Sequence, residues 1–131
     1  MKTFTRLVYP DLSYRINGVL FATHNELGRF CNEKQYSDYI ESYLKKFKIK
    51  YERERVLPPS FSEELKGRNK IDFLIEDKII LEVKAKHVLT RDDYYQTRRY
   101  LMALNKKLAI IVNFHKKYII PQRILNSLAK E

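Results

Sequence analysis

Two apolar runs in immediate succession constrain this 131-residue chain more than any other feature. Ile71, Phe73 and Ile75 alternate with Asp72, Leu74 and Glu76, and Lys78 to Ala85 (KIILEVKA) follows directly. Glu76-Asp77-Lys78 must then carry a tight turn, and the segment is a β-hairpin. With those three residues in the turn, Leu74 faces Ile80 and Asp72 faces Glu82. A two-residue turn at Asp77-Lys78 would instead pair Asp72 with Val83 and send Glu82 and Lys84 to the other face, because a one-residue slip inverts every side chain.

The rest of the chain supplies layers for this hairpin. Ile16, Val19, Leu20, Thr23 and Leu27 recur at helical spacing within 12–27 and stop at Gly28, a C-terminal cap. Asn32 and Gln35 form a capping box for a second helix, whose stripe is Tyr36, Tyr39, Ile40, Tyr43, Leu44 and Phe47. Residues 49–57 (IKYERERVL) read as a charged edge strand, followed by the Pro58-Pro59-Ser60 break and a loop through Gly67. Thr90 caps a third helix to about Asn105, residues 108–114 (LAIIVNF) read as a buried strand, and 119–129 as a closing, helical segment. The order is ααβββαβα, an α/β fold with a central sheet flanked by helices, and the length suits one domain over 1–131.

Asp72 and Glu82-Val83-Lys84 give D-x9-E-x-K across the two hairpin strands. Opposed residues on one face have Cβ atoms about 4.5 to 5.5 Å apart, close enough for two carboxylates to share a divalent ion. Two acids gathered this way repel unless a cation neutralises them, so removing one is expected to stabilise the metal-free protein mildly. Mg²⁺ or Mn²⁺, which take oxygen ligands, suit the pair. A lysine beside such an ion positions water and offsets charge on a phosphorane, so the chemistry implied is phosphodiester hydrolysis. A half-exposed hairpin with a solvated charged face shows the same alternation, so the motif alone leaves both readings open.

Charge bears on the partner. Twenty-six Lys and Arg against sixteen Asp and Glu leave +10, which favours polyanions such as nucleic acid or an acidic membrane surface, although a lysine-rich surface also serves solubility. Lone Cys31 excludes an intrachain disulfide, and His24, His87 and His115 show no zinc-ligand spacing. The first ten residues lack a signal-peptide core and no run is long enough to span a bilayer, so a soluble, cytoplasmic protein is expected.

Several stretches in order resemble the GxxExxY family, a branch of the PD-(D/E)XK nuclease superfamily. They are residues 23–28 (THNELG), 33–36 (EKQY), 70–73 (KIDF), 80–85 (ILEVKA), 96–101 (QTRRYL) and 111–114 (IVNF). The resemblance implies a restriction-endonuclease-like core with a mixed sheet and a metal-dependent nuclease acting on DNA or RNA. It places metal-binding carboxylates at Asp72 and Glu82, the lysine at Lys84, an accessory acid at Glu33 and a helix glutamine at Gln96, and the Val83 carbonyl is expected to join the two acids as a metal ligand. Arg68, Lys70, Lys86, Arg98 and Arg99 are the candidates for phosphate contacts. Phe30 stands where the family signature has its first glycine, and His115 where a glycine is usual.

Glu33 also lies three, seven and eleven residues before Tyr36, Ile40 and Leu44, so it begins the buried stripe of the second helix. The alternative for Glu33 is an acid interacting with the helix dipole, and for Gln96 a solvated surface glutamine. The tyrosines of the second helix are expected in the core rather than stacked on bases. Two other functions stay open: a non-catalytic nucleic-acid-binding module, and an interaction subunit, as a homodimer or with a partner. Neither needs clustered acids.

Overall fold

A computed structural model describes residues 7–130. In chain order it contains α1 (Pro10–Leu27), α2 (Glu33–Lys46), β1 (Tyr51–Val56), β2 (Lys70–Ile75), β3 (Ile79–Lys84), α3 (Arg91–Leu104), β4 (Leu108–Asn113) and β5 (Gln122–Leu125). The strands form one sheet in the order β1-β2-β3-β4-β5; β3 and β4 are parallel and every other neighbouring pair is antiparallel. The crossover through α3 is what allows consecutive strands to run parallel. No helix among the described residues is long and apolar enough to cross a membrane.

The helices pack on opposite faces. Ile16, Val19 and Leu20 of α1 and Tyr36, Ile40 and Leu44 of α2 bury Phe73, Leu81, Val83, Ile110 and Val112. Tyr100 and Leu101 of α3 bury Leu74, Ile80, Ala109 and Ile111 on the other side. Strands β3 and β4 are therefore covered on both faces, which is why they read as continuous apolar runs. The predicted caps are present: Asn32 with Gln35 and Thr90 with Asp93 each close a reciprocal capping box, and the Gly28 N–H donates to the His24 carbonyl.

The hairpin has the odd register. Ile75 pairs with Ile79, Leu74 with Ile80 and Phe73 with Leu81, leaving Glu76-Asp77-Lys78 in the turn. Glu76 (φ 53°) and Asp77 (φ 57°) both take left-handed backbone, a conformation that glycine and asparagine adopt more readily. Neighbouring contacts hold it: the Lys50 N–H donates to Glu76 Oε2 at 2.9 Å, and Lys106 Nζ to the Asp77 carbonyl at 2.9 Å.

One element differs from expectation. The closing segment is not helical; Gln122–Leu125 is a strand that pairs antiparallel with β4. Ile124 enters the α3-side core while its neighbour Arg123 turns to the opposite side, donating to Ser13 Oγ (2.7 Å) and the Val8 carbonyl (2.8 Å). That alternation has period two, and the pairing satisfies the outer backbone groups of β4.

Candidate active site

The catalytic candidates sit where the sheet comes apart. Pairing of β1 with β2 runs Tyr51–Ile75, Glu52–Leu74 and Arg53–Phe73, then resumes at Arg55–Ile71, passing over the opposed Glu54 and Asp72. Glu54 has φ 54°, left-handed backbone inside a strand. On its other side, the pairing of β2 with β3 ends at Phe73–Leu81. Face alternation breaks at the same place: Ile71 joins Leu74 on the α3 side, whereas Phe73 packs under α1 and α2.

Side chains complete the bonding that the ladder leaves open. The Asp72 N–H donates to Glu82 Oε2 at 2.8 Å, and the Val83 N–H donates to Asp72 Oδ2 at 2.7 Å. Buried backbone donors need partners, and here the two acids supply them. Each carboxylate commits one oxygen to a backbone N–H, so its second oxygen is the candidate donor to a cation.

Electrostatics mark the pair as unsettled without a counter-ion. Glu82 is 3% exposed. Burial, followed by the charge of Asp72, pushes its carboxyl up to about 8, against the Asp72 N–H and Lys84, which favour the ionised form. Asp72 is raised too, mainly by burial and then by Glu33 and Glu54, against the Val83 N–H and Lys84. A divalent cation held between them would counter that burial and favour the ionised form of both carboxyls.

Glu33 is the first residue of α2 and is exposed, not buried with the stripe below it. It nevertheless lines a cleft of 440 Å³ together with Lys34, Arg53, Glu54, Lys70 and Asp72, and its charge acts on both Asp72 and Glu82. The loop that delivers it is organised by Tyr36, whose hydroxyl donates to the Gly28 carbonyl at 2.7 Å and accepts from the Cys31 N–H at 3.2 Å. The Tyr36 ring stacks on Phe114 with centroids 4.3 Å apart. Both departures from the family signature are accommodated. Phe30 points outward, 85% exposed, with the Arg29 guanidinium over its ring, and His115 Nε2 lies 2.6 Å from the Cys31 carbonyl, joining the loop after β4 to the loop before α2. Tyr36 is core as expected, whereas Tyr39 and Tyr43 are half-buried and pack on each other along the surface.

Other predicted residues divide by position. Lys84 ends β3, half-buried and near both acids. Gln96 is half-buried on α3, one turn before Tyr100, whose phenol is raised by burial and then by the charges of Glu82 and Asp72. Lys70 lines the Asp72 cleft, with its ammonium 3.4 Å from Glu54. Lys86 is held by both oxygens of Asp93 (3.1 and 2.8 Å), so its ammonium serves the start of α3. Arg99 is exposed beside Tyr100, while Arg98 borders Leu125 to Leu128 and Arg68 borders the loop before β2, both on separate hollows.

Glu54 and Tyr100 are additions that the sequence reading lacked. Tyr100 had a signal, since it stands four residues after Gln96 on one face of α3. Glu54 had none, because an alternating edge strand gives no sign of a left-handed residue.

Compared with protein families, residues 10–124 match the PD-(D/E)XK nuclease superfamily. The chain belongs to that superfamily. The match spans every element that builds the site, from α1 into β5, and the mixed five-stranded sheet with three helices agrees with the PD-(D/E)XK fold. Searches of curated proteins and of solved structures find no match. PD-(D/E)XK proteins typically use divalent metals. Among the described residues no three His, Cys, Asp or Glu side chains are gathered as a ready-made metal cage. Asp72 and Glu82 are joined through the Asp72 N–H, and the chemistry of that pair, buried hard oxygen donors whose carboxyls are pushed above the usual carboxylate range, fits Mg²⁺ or Mn²⁺.

Proposed function

We propose that this one-domain protein is a metal-dependent nuclease that hydrolyses phosphodiester bonds in DNA or RNA, and that it falls in the GxxExxY branch of its superfamily. The observation that carries the reading is the buried Asp72–Glu82 contact with Lys84 on the same strand. Binding nucleic acid needs cations, not two acids held together at the edge of water.

Asp72, Glu82 and the Val83 carbonyl would hold the ion, which when bound supplies Lewis-acid polarisation of phosphate and lowers the pKa of water. Lys84 supplies a fixed positive charge near the scissile phosphate and orients the attacking water. Glu33, at the mouth of the cleft, aligns water or a second ligand. Tyr100 and Gln96 wall the site from the α3 side, and Lys70 contributes phosphate attraction beside Asp72. The branch assignment is supported by Glu33 and Tyr36 acting as a unit, the tyrosine fixing the loop from which the acid emerges.

The test is incubation with labelled single- and double-stranded DNA and RNA in Mg²⁺, Mn²⁺ or EDTA, beside Lys84→Ala. Cleavage that needs metal and Lys84 is expected. Metal-independent cleavage, or equal cleavage by Lys84→Ala, overturns the assignment; binding without cleavage leaves the binding-module function.

A further inference from the structure

Beyond β4 lies a second cleft that the proposed chemistry does not use. It measures 320 Å³ and is walled by Val88, Tyr94, Lys116, Tyr118, Ile120 and Gln122. Tyr118 is 75%, Ile120 71% and Val88 54% exposed. Single exposed apolar side chains are ordinary, but three on one concave wall mark a binding surface.

Its position ties it to the candidate active site. Asn113, which also lines the cleft, is the register partner of Lys84 on the adjoining parallel strand. Neighbouring strands lie about 4.8 Å apart, so the groove begins one strand away from the lysine. The wall there is fixed: Asn113 Nδ2 donates to the Lys86 carbonyl (2.8 Å), and its Oδ1 accepts from the N–H groups of Lys86 (3.1 Å) and His115 (3.2 Å).

The groove's chemistry selects among occupants. Lys116 is on its wall, and Lys117 Nζ stands over the Tyr118 ring at 5.5 Å from the centroid, so the rim is cationic around an aromatic platform. A purely apolar protein segment would leave those charges unmatched. A duplex keeps its bases stacked and turned inward. An unpaired nucleotide matches each part, with a π face for Tyr118, a polar edge for the Gln122 amide and phosphate for the lysines.

We propose that this groove binds an unpaired nucleobase adjoining the scissile phosphate, so that the substrate is single-stranded or carries a single-stranded segment. The placement of the scissile phosphate rests on the nuclease assignment above; base binding itself does not.

Fluorescence anisotropy in EDTA separates the two. The probes are a labelled oligothymidylate, an abasic oligomer of the same length and charge, and a duplex. Wild type is expected to bind the base-bearing single strand roughly tenfold more tightly than the abasic strand, the scale of one base–aromatic stack. Tyr118→Ala removes that preference without weakening abasic binding, and Tyr118→Phe, which keeps the ring, retains it. Equal affinity of wild type for the first two probes, a duplex bound as tightly as the single strand, or a Tyr118→Ala loss shared by all probes overturns the proposal. A Tyr118-dependent preference without metal-dependent cleavage sustains the groove and sinks the nuclease assignment; Lys84-dependent cleavage without the preference does the reverse.

Discussion

Replacing Glu82 with glutamine, which keeps the shape and the oxygen that accepts the Asp72 N–H but removes the charge, should stabilise the metal-free protein at neutral pH. Glu82 titrates at about 8 in the folded chain against 4.5 for the ordinary glutamate. A carboxyl raised on folding contributes its full stability below the unfolded value, and that contribution is lost as pH rises toward the folded value. At neutral pH the folded chain must take up a proton that the unfolded chain has released. The interval from 4.5 to 7 is about 2.5 pH units at 1.36 kcal/mol each, or roughly 3 kcal/mol. Urea denaturation in EDTA at about pH 4.5, 6, 7.5 and 8.5 measures it, with the difference between variant and wild type cancelling other titrating groups. Near pH 4.5 the two should agree within about 1 kcal/mol, and the gap should open to roughly 3 kcal/mol by neutrality. A gap that is constant with pH, or that closes as pH rises, would refute the raised carboxyl of buried Glu82.

Four further outcomes follow from the geometry. Millimolar Mg²⁺ should raise the melting temperature of wild type but much less that of Glu82→Gln, and EDTA should reverse the rise, because binding to the folded state alone stabilises it by mass action. Tyr36→Phe should cost about 1 to 2 kcal/mol in thermal or urea melts, since the Gly28 carbonyl and Cys31 N–H lose their partner. Glu54→Val should destabilise by about 1 to 2 kcal/mol although valine suits exposed strands, because φ 54° disfavours a β-branched residue; a neutral or stabilised melt would dismiss the strain at that position. Glu33→Gln should lower turnover far more than substrate affinity in steady-state kinetics, and a change confined to KM would make it a binding group only.

Much of this arrangement was legible in advance because it rests on local spacing. Two apolar runs separated by Glu76-Asp77-Lys78 permit few registers, and the pairing of Leu74 with Ile80 follows from the turn. The caps at Asn32 and Thr90 were equally visible, since a capping box is a contact over three residues. What stayed hidden depends on partners distant in sequence. β5 has four residues after a proline, and Ile119, Ile120, Arg123 and Ile124 mimic helical spacing until β4 offers an open edge. Glu54 reaches the cleft through a backbone break that no composition announces, and Glu33, which helical spacing put with the buried stripe of α2, lines the Asp72 cleft from an exposed position.

The two bonds between acid side chains and backbone also bear on how a nuclease built on this scaffold would lose its activity. Alanine at either acid relieves charge repulsion but strands a backbone N–H, of Val83 or of Asp72, so the mild stabilisation expected from removing an acid should belong to the amide replacements and not to alanine. Drift toward an inactive descendant therefore runs along a narrow path: position 72 or 82 can shed its charge only by keeping an acceptor of the same shape. A chain on this fold with amides at those positions would bear the mark of a retired enzyme, whereas one with small apolar residues there must have rebuilt the strands around them.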